Sequence, residues 1–210
     1  MNNKIKIVCI ADTHRQHWKI DIPECDIFIF AGDAELDTFK ALTDFNDWVG
    51  IIKAKHKIVC GGNHDFYLEK RPREELQTYF TNAIYVENES IEIMGIKIWG
   101  SPYSVMFNNW AWMMNSAQLA KVWARIPDDT DIVITHSPPF GILDSTPFSK
   151  WPCGCPTLLS RMEEIKPKYH IFGHIHNDYG IQVKHGTTFI NASLLNDHYK
   201  LVNTHHTILY

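Results

Sequence analysis

Long apolar runs are missing from this 210-residue chain. None approaches the ~18–20 residues that cross a bilayer, so no membrane span is expected. An excess of one charge is missing too: 20 Lys and Arg stand against 24 Asp and Glu, a formal net charge of −4. Long nucleic acids are bound by basic surfaces, so a nuclease acting on DNA or RNA is not expected. Cysteines number only 5, an odd count, and no charged leader with an apolar core and small-residue cleavage site precedes the first strand-like run. A disulfide framework is therefore not expected, and these features fit a cytoplasmic protein. Cys9 and Cys60 lie within apolar runs and read as small buried hydrophobes, and Cys153 and Cys155 form an isolated C-x-C without a partner at zinc-finger spacing. Neither G-x-x-x-x-G-K-[ST] nor G-x-G-x-x-G occurs, which removes nucleotide binding of the P-loop or Rossmann kind. Nor is there a G-x-S-x-G elbow for a Ser/His/Asp hydrolase built on His136-Ser137. With 11 Gly, 10 Pro and 45% hydrophobic residues the chain is not low-complexity or disordered. Its length suits one compact domain, residues 1–210.

What is present is histidine, at 12 copies, and the secondary-structure pattern decides whether those are scattered or placed. Short β-branched runs at 5–11, 26–31, 57–60, 91–94, 97–100, 131–135, 169–172 and 187–191 have strand length and composition. Between them, 38–53 sets Phe39, Leu42, Phe45, Val49 and Ile52 on one helical face, and 73–80, 116–125 and 157–166 are further helices, the last stopped by Pro167. The first half alternates strand and helix, implying parallel pairing; 83–100 reads as consecutive strands with a hairpin turn at Met94-Gly95. The fold class is α/β, with mixed or paired sheets flanked by helices. Two long loops, 101–115 with Tyr103, Phe107, Trp110 and Trp112, and 137–156 rich in proline, are longer than mere connections need to be. The four aromatics either stack on a nucleobase or pack beneath their own loop.

Five strand-like runs end directly in residues able to bind metal: Asp12-Thr13-His14, Gly32-Asp33, Gly61-Gly62-Asn63-His64-Asp65, Thr135-His136 and Gly173-His174-Ile175-His176. Ligands of open α/β sheets bind beyond the carboxyl ends of strands, where segments distant in sequence converge. A single D-x-H or H-x-H is often a turn or a surface pair; five at strand ends point to one site. His17, His56, His185, His198, His205 and His206 lack that context and read as structural or surface residues. The Asp, Asn and His donors suit Mn, Fe or Zn, and seven such side chains are enough for two ions sharing a carboxylate.

The order D-x-H, G-D, G-N-H-D, T-H, G-H-x-H resembles the calcineurin-like metallophosphoesterase superfamily. Gly100-Ser101-Pro102-Tyr103, Thr135-His136-Ser137-Pro138-Pro139, the segment 173–180 and Asn191-Ala192-Ser193 are similar to the branch that includes brain-type cyclic-nucleotide phosphodiesterases, over residues 5 to 203. The resemblance implies a four-layer α/β/β/α sandwich with two mixed sheets. It implies Asp12, His14 and His176 on a first metal, Asn63, His136 and His174 on a second, and Asp33 bridging both. Asn63 and His64 would bind the substrate phosphate, and Asp65 would orient the His64 ring. The chain departs from the branch after Gly32-Asp33, where 34–37 is shorter, and at Asp65, where those relatives carry Glu.

The activity so implied is hydrolysis of phosphodiesters, cyclic nucleotides included, by a metal-bound hydroxide, with two divalent ions, Mn favoured. The partner would be a small phosphoester, with no membrane and no long nucleic acid. His64 either protonates the alkoxide leaving group or only binds the phosphate electrostatically. The alternatives are a phosphomonoesterase or phosphoprotein phosphatase on the same site, and a non-catalytic metal-binding interaction protein.

Overall fold

The computed structural model describes residues 4–210. Strands β1 (Lys6–Ile10), β2 (Cys25–Ala31), β3 (Ala54–Cys60) and β4 (Ile84–Tyr85) run parallel in that order, and β13 (His206–Leu209) pairs antiparallel on the free side of β1. The second sheet has the order β11 (Gly180–Lys184), β12 (Thr187–Asn191), β10 (Tyr169–Phe172), β9 (Ile132–Thr135), β6 (Ile96–Ser101), β5 (Glu89–Ile93). Its four central strands are parallel and its two edges antiparallel. A two-stranded ribbon, β7 (Ser104–Val105) with β8 (Met113–Met114), ties off the 101–115 loop.

The strands were readable as continuous apolar runs because both faces of each sheet are covered. On β1 and β2, Ile7, Cys9, Ile27 and Ile29 point into a layer shared with Ile96, Ile98, Ile132, Ile134, Ile171 and Ile190 of the second sheet. The alternate residues Val8, Ile10, Phe28 and Phe30 face the other way, onto α1 (Phe39–Ile51) through Phe45, Trp48 and Val49. On the far side, Trp99, Val133, Phe172 and Phe189 meet α4 (Ser116–Trp123) and α5 (Pro156–Ile165) through Leu119, Trp123, Leu158 and Met162. Helix, sheet, sheet, helix is therefore the layer order. Slim aliphatic side chains fill the space between the sheets and aromatic ones the wider space under the helices.

Local signals set the boundaries. Thr38 caps α1 by accepting from the Ala41 amide, and Asn115 with Gln118 forms a reciprocal capping box on α4. Helix α5 ends at Lys166 in a left-handed conformation, one residue before Pro167. At the expected hairpin, Met94 and Gly95 have φ of +55° and +79°, the positive pair that a two-residue I′-type turn requires. Helix α3 (Arg73–Tyr79) ends one residue short of its expected span, whereas α2 (Phe66–Glu69) is a single turn with too few residues to show a period. Among the described residues no helix is long and apolar enough to cross a membrane.

Candidate metal centre

Strand ends build the site. The C-terminal ends of β1, β2 and β3 meet those of β9, β10 and β12 along one edge where the two sheets close. Backbone bonds join them: Asp12 N–H donates to Gly32 O (2.9 Å), Ala11 N–H to Ala192 O (2.8 Å) and Gly173 N–H to His136 O (3.0 Å). Asp12, His14, Asp33 and His174 leave their strands with φ of +55°, +38°, +61° and +71°. For residues with a Cβ this left-handed backbone costs about 1–2 kcal/mol each, and such strain gathers at functional sites. Two glycines make room for the turns. A Cβ on Gly62 would come within 2.4 Å of Asp33 Oδ1, and one on Gly173 within 2.2 Å of Asp12 Oδ2.

The seven proposed ligands come together. Asp12, His14 and His176 form one group and Asp33, His136 and His174 a second, the ligand atoms within each lying inside 4.8 Å of one another. Asn63 joins the second group, its Oδ1 2.9 Å from His136 Nε2. Asp33 stands between the groups: its Oδ2 is 3.3 Å from His136 Nε2 and 3.8 Å from His14 Nε2. Its other oxygen accepts the His64 amide at 2.8 Å, which leaves Oδ2 turned to the site.

The surroundings fix the donors for metal. His136 Nδ1–H donates to Ala31 O (3.0 Å) and His176 Nδ1–H to Asn196 O (3.1 Å), so both rings present Nε2 inward. Asp12 Oδ2 accepts from Ser193 Oγ–H (2.6 Å) and from the His174 amide (2.9 Å). His14 is buried with neither ring nitrogen hydrogen-bonded. A buried imidazole with two orphan nitrogens is costly unless something coordinates it, and these N and O donors fit a hard-to-borderline divalent ion.

Charge is arranged in pairs. Burial alone would push the His136 ring down, but Asp33 and Asp12 hold it up to about 9. Burial likewise opposes protonation of His176, and Asp12 overrides it, again to about 9. Burial dominates for His14, lowered to about 4, and for His174, lowered to about 3. Burial would raise Asp33, yet His136, His14 and His64 pull it well below the usual carboxylate range. In metal-free protein His136 and His176 thus hold protons at neutral pH, and metal must displace both. Loading the metal-free protein at pH 7 is expected to release about two protons. Apparent affinity should rise with pH and level off only as pH passes about 9. Calorimetry in buffers of different ionisation enthalpy checks this; no buffer dependence would refute the paired charges.

Asp65 is placed differently from the expectation. Its carboxylate does not hold the His64 ring. Oδ2 accepts the amides of Gly62 (2.8 Å) and Asp33 (3.1 Å), and Oδ1 that of Leu36 (2.8 Å). Burial and the Asp33 charge raise its carboxyl to about 7. The 34–37 segment is thus fastened to the turn after β3 by the Asp65 side chain.

The aromatic loop divides. Trp112 is buried in the core under Gly61 and Tyr103 packs against the same core, whereas Trp110 lies 4.2 Å from the His64 ring and Phe107 5.6 Å from His174. Sequence reading gave no role to His170 or Ser193. His170 Nε2 lies 2.8 Å from Thr135 Oγ1, whose proton goes to Ser137 O, and this braces the turn that carries His136. Ser193 holds Asp12, and the quoted Asn191-Ala192-Ser193 string was its one signal. Tyr199 stands over the first group, with ring centroids 4.7 Å from His14 and 5.5 Å from His176.

Comparisons with known proteins agree with this architecture. Human metallophosphoesterase domain-containing protein 1 is 35% identical over 223 residues, covering 94% of this chain and 68% of its own. A UPF0046 protein of Caenorhabditis elegans is 34% identical over 206 residues, covering 91% and 70%. Among solved structures, phosphopantetheinyl hydrolase of Mycobacterium tuberculosis superposes with TM-score 0.61 at 14% identity, over 95% of this chain and 92% of that one. The 5'-nucleotidase of Candida albicans superposes with TM-score 0.53 at 16% identity, over 90% and 45%; at such identities the likeness is one of fold. The calcineurin-like phosphoesterase pattern matches residues 5–178, and with these relatives it establishes that the chain belongs to that family of metal-dependent phosphoester hydrolases.

Proposed function

We propose that this protein hydrolyses small phosphodiesters, cyclic nucleotides among them, at a pair of divalent ions, with Mn the ion that best supports turnover. The observation that carries this reading is Asp33 Oδ2, which lies 3.3 Å from His136 Nε2 of its own group and 3.8 Å from His14 Nε2 of the other, with His64 Nε2 4.0 Å away. Asp12, His14 and His176 would hold one ion and Asn63, His136 and His174 the other, with Asp33 common to both. Bound there, the ions would supply positive charge for the non-bridging phosphoryl oxygens and make a water molecule far more acidic than in bulk.

The protein's own groups do the rest. The Asn63 amide and the His64 ring bind the phosphoryl group and exclude misaligned poses. His64, with its side chain 19% exposed at the mouth of the site, gives a proton to the departing oxygen. A diester suits the charge here. A monoester dianion carries one more negative charge, and among the described residues no Lys or Arg side chain is ion-paired with a ligand. Arg15, beside His14, has its guanidinium tied to Asp37 and Glu35. Mn-loaded protein should turn over bis-p-nitrophenyl phosphate faster than p-nitrophenyl phosphate and carry two ions per chain. Faster monoester turnover would overturn the diester reading, and two ions without turnover of any phosphoester would make the chain a binding protein.

His64→Ala is expected to cost about 10²–10⁴ in kcat on a diester with an alkyl leaving group. On one with p-nitrophenolate, which needs no proton, the loss should stay under about tenfold. Equal losses on both would leave His64 with phosphate binding alone.

A further inference from the structure

Among the described residues no carboxylate hydrogen-bonds the His64 ring, Asp33 Oδ2 lying 4.0 Å from its Nε2, although the ring's direction decides where a proton can be delivered. Among the described hydrogen bonds the ring makes none, and Asp65, its sequence neighbour, spends both oxygens on backbone amides. Two aromatic neighbours enclose it instead. His14 meets it nearly perpendicular, with centroids 4.8 Å apart at 86°, and Trp110 lies 4.2 Å away, tilted by only 30°. We infer that Trp110 is a positioning residue for the reaction, its indole face setting the direction in which His64 points.

The chain around Trp110 is built to hold the indole there. Ala111 N–H donates to Asn63 O (3.1 Å), fastening the loop to the residue just before His64. Trp112 N–H donates to Glu69 Oε1 (2.7 Å), and the Trp112 ring is sunk beneath Gly61, where even a Cβ would come within 2.6 Å of it. Phe66 backs the indole at 5.9 Å and 38°. The loop is thus anchored on both the Asn63 turn and the helix that follows it, which sets the Trp110 indole against the His64 ring. Offset packing of aromatic faces is directional, and an aliphatic side chain of similar bulk does not reproduce it. His64 at 4.2 Å and Phe66 at 5.9 Å are both ring neighbours of the half-buried indole.

This inference rests on His64 acting as proton donor, and the experiment separates the two ideas. Trp110→Ala, Trp110→Leu and Trp110→Phe are compared with His64→Ala on diesters bearing alkyl and p-nitrophenyl leaving groups. Ring protons of His64 are followed by NMR in the Zn-loaded protein. Trp110→Ala and Trp110→Leu are expected to lose about ten- to a hundredfold in kcat on the alkyl ester and about twofold or less on the p-nitrophenyl ester, with KM unchanged. Trp110→Phe restores most of the loss. The His64 ring protons, shielded by the indole, should move downfield in the Ala and Leu variants. Equal losses on both esters, no loss on either, or unmoved His64 resonances would overturn the role of Trp110. If His64→Ala itself shows no leaving-group dependence, the proton-donor reading falls, and the NMR shifts alone then decide whether Trp110 orients the ring.

Discussion

Asp33→Asn is expected to lower turnover by at least about three orders of magnitude, close to 4 kcal/mol of transition-state stabilisation, and to take metal with it. Asp33 Oδ2 faces both ligand groups, at 3.8 Å from His14 Nε2 and 3.3 Å from His136 Nε2. Asparagine is nearly isosteric and still offers an oxygen to the His64 amide, so the turn should survive. What disappears is a full negative charge shared between two cations in a buried site, where each cation is otherwise balanced by a single carboxylate or by none. The Asp12 group keeps its charge and the Asn63 group loses its only one. Metal analysis should therefore fall from two ions per chain to one or fewer, with the Asn63–His136–His174 position emptied first. Two ions per chain in the variant would refute the shared role of Asp33.

Asp65→Ala is expected to be the most destabilising single change near the site, at about 3–5 kcal/mol, although Asp65 touches no ligand donor atom in the arrangement above. Its two oxygens satisfy three amides, those of Gly62, Asp33 and Leu36, at 2.8, 3.1 and 2.8 Å. An amide left buried without an acceptor costs about 1–3 kcal/mol, and the site is sealed. For a chain of this length each kcal/mol corresponds to about 2–4 °C, so melting should fall by about 10 °C. Activity in the folded fraction should also drop by about ten- to a hundredfold, because the Asp33 backbone is no longer held. Asp65→Asn keeps one acceptor oxygen and should fall between. A melting temperature unchanged in Asp65→Ala would show that the three amides find other partners.

Much of the fold was legible because burial on both faces writes strands as unbroken apolar runs. Residues 169–172 and 187–191 are strands over those same bounds. What escaped is what lacks that signature. Strand β11 is an edge with Ile181 and Val183 exposed at 55% and 71%, and β7 and β8 are two-residue pairings that a neighbour, not a local pattern, creates. The α5 helix starts one residue before the expected Thr157, because Pro156 supplies a ready-made first turn. Loop 101–115 shows the limit most sharply. Trp110 and Trp112 are two residues apart on the same loop, yet one faces His64 and the other fills the core. Which is which depends on β7 pairing with β8 and on Glu69 reaching the Trp112 amide, 43 positions away in sequence.

By itself the sequence determined that metal-binding side chains follow five apolar strands, and that their number suits two ions sharing a carboxylate. That much depends only on residue type, order and strand period. The tertiary structure alone decided how each side chain is used. It turned Asp33 Oδ2 towards both groups and left the His14 ring without a hydrogen bond. It sent the Asp65 carboxylate to backbone amides and stacked Trp110 on His64. These outcomes rest on which atoms meet when two sheets close against each other, and contacts between segments as far apart as Asp12 and Ser193 have no local trace in the chain.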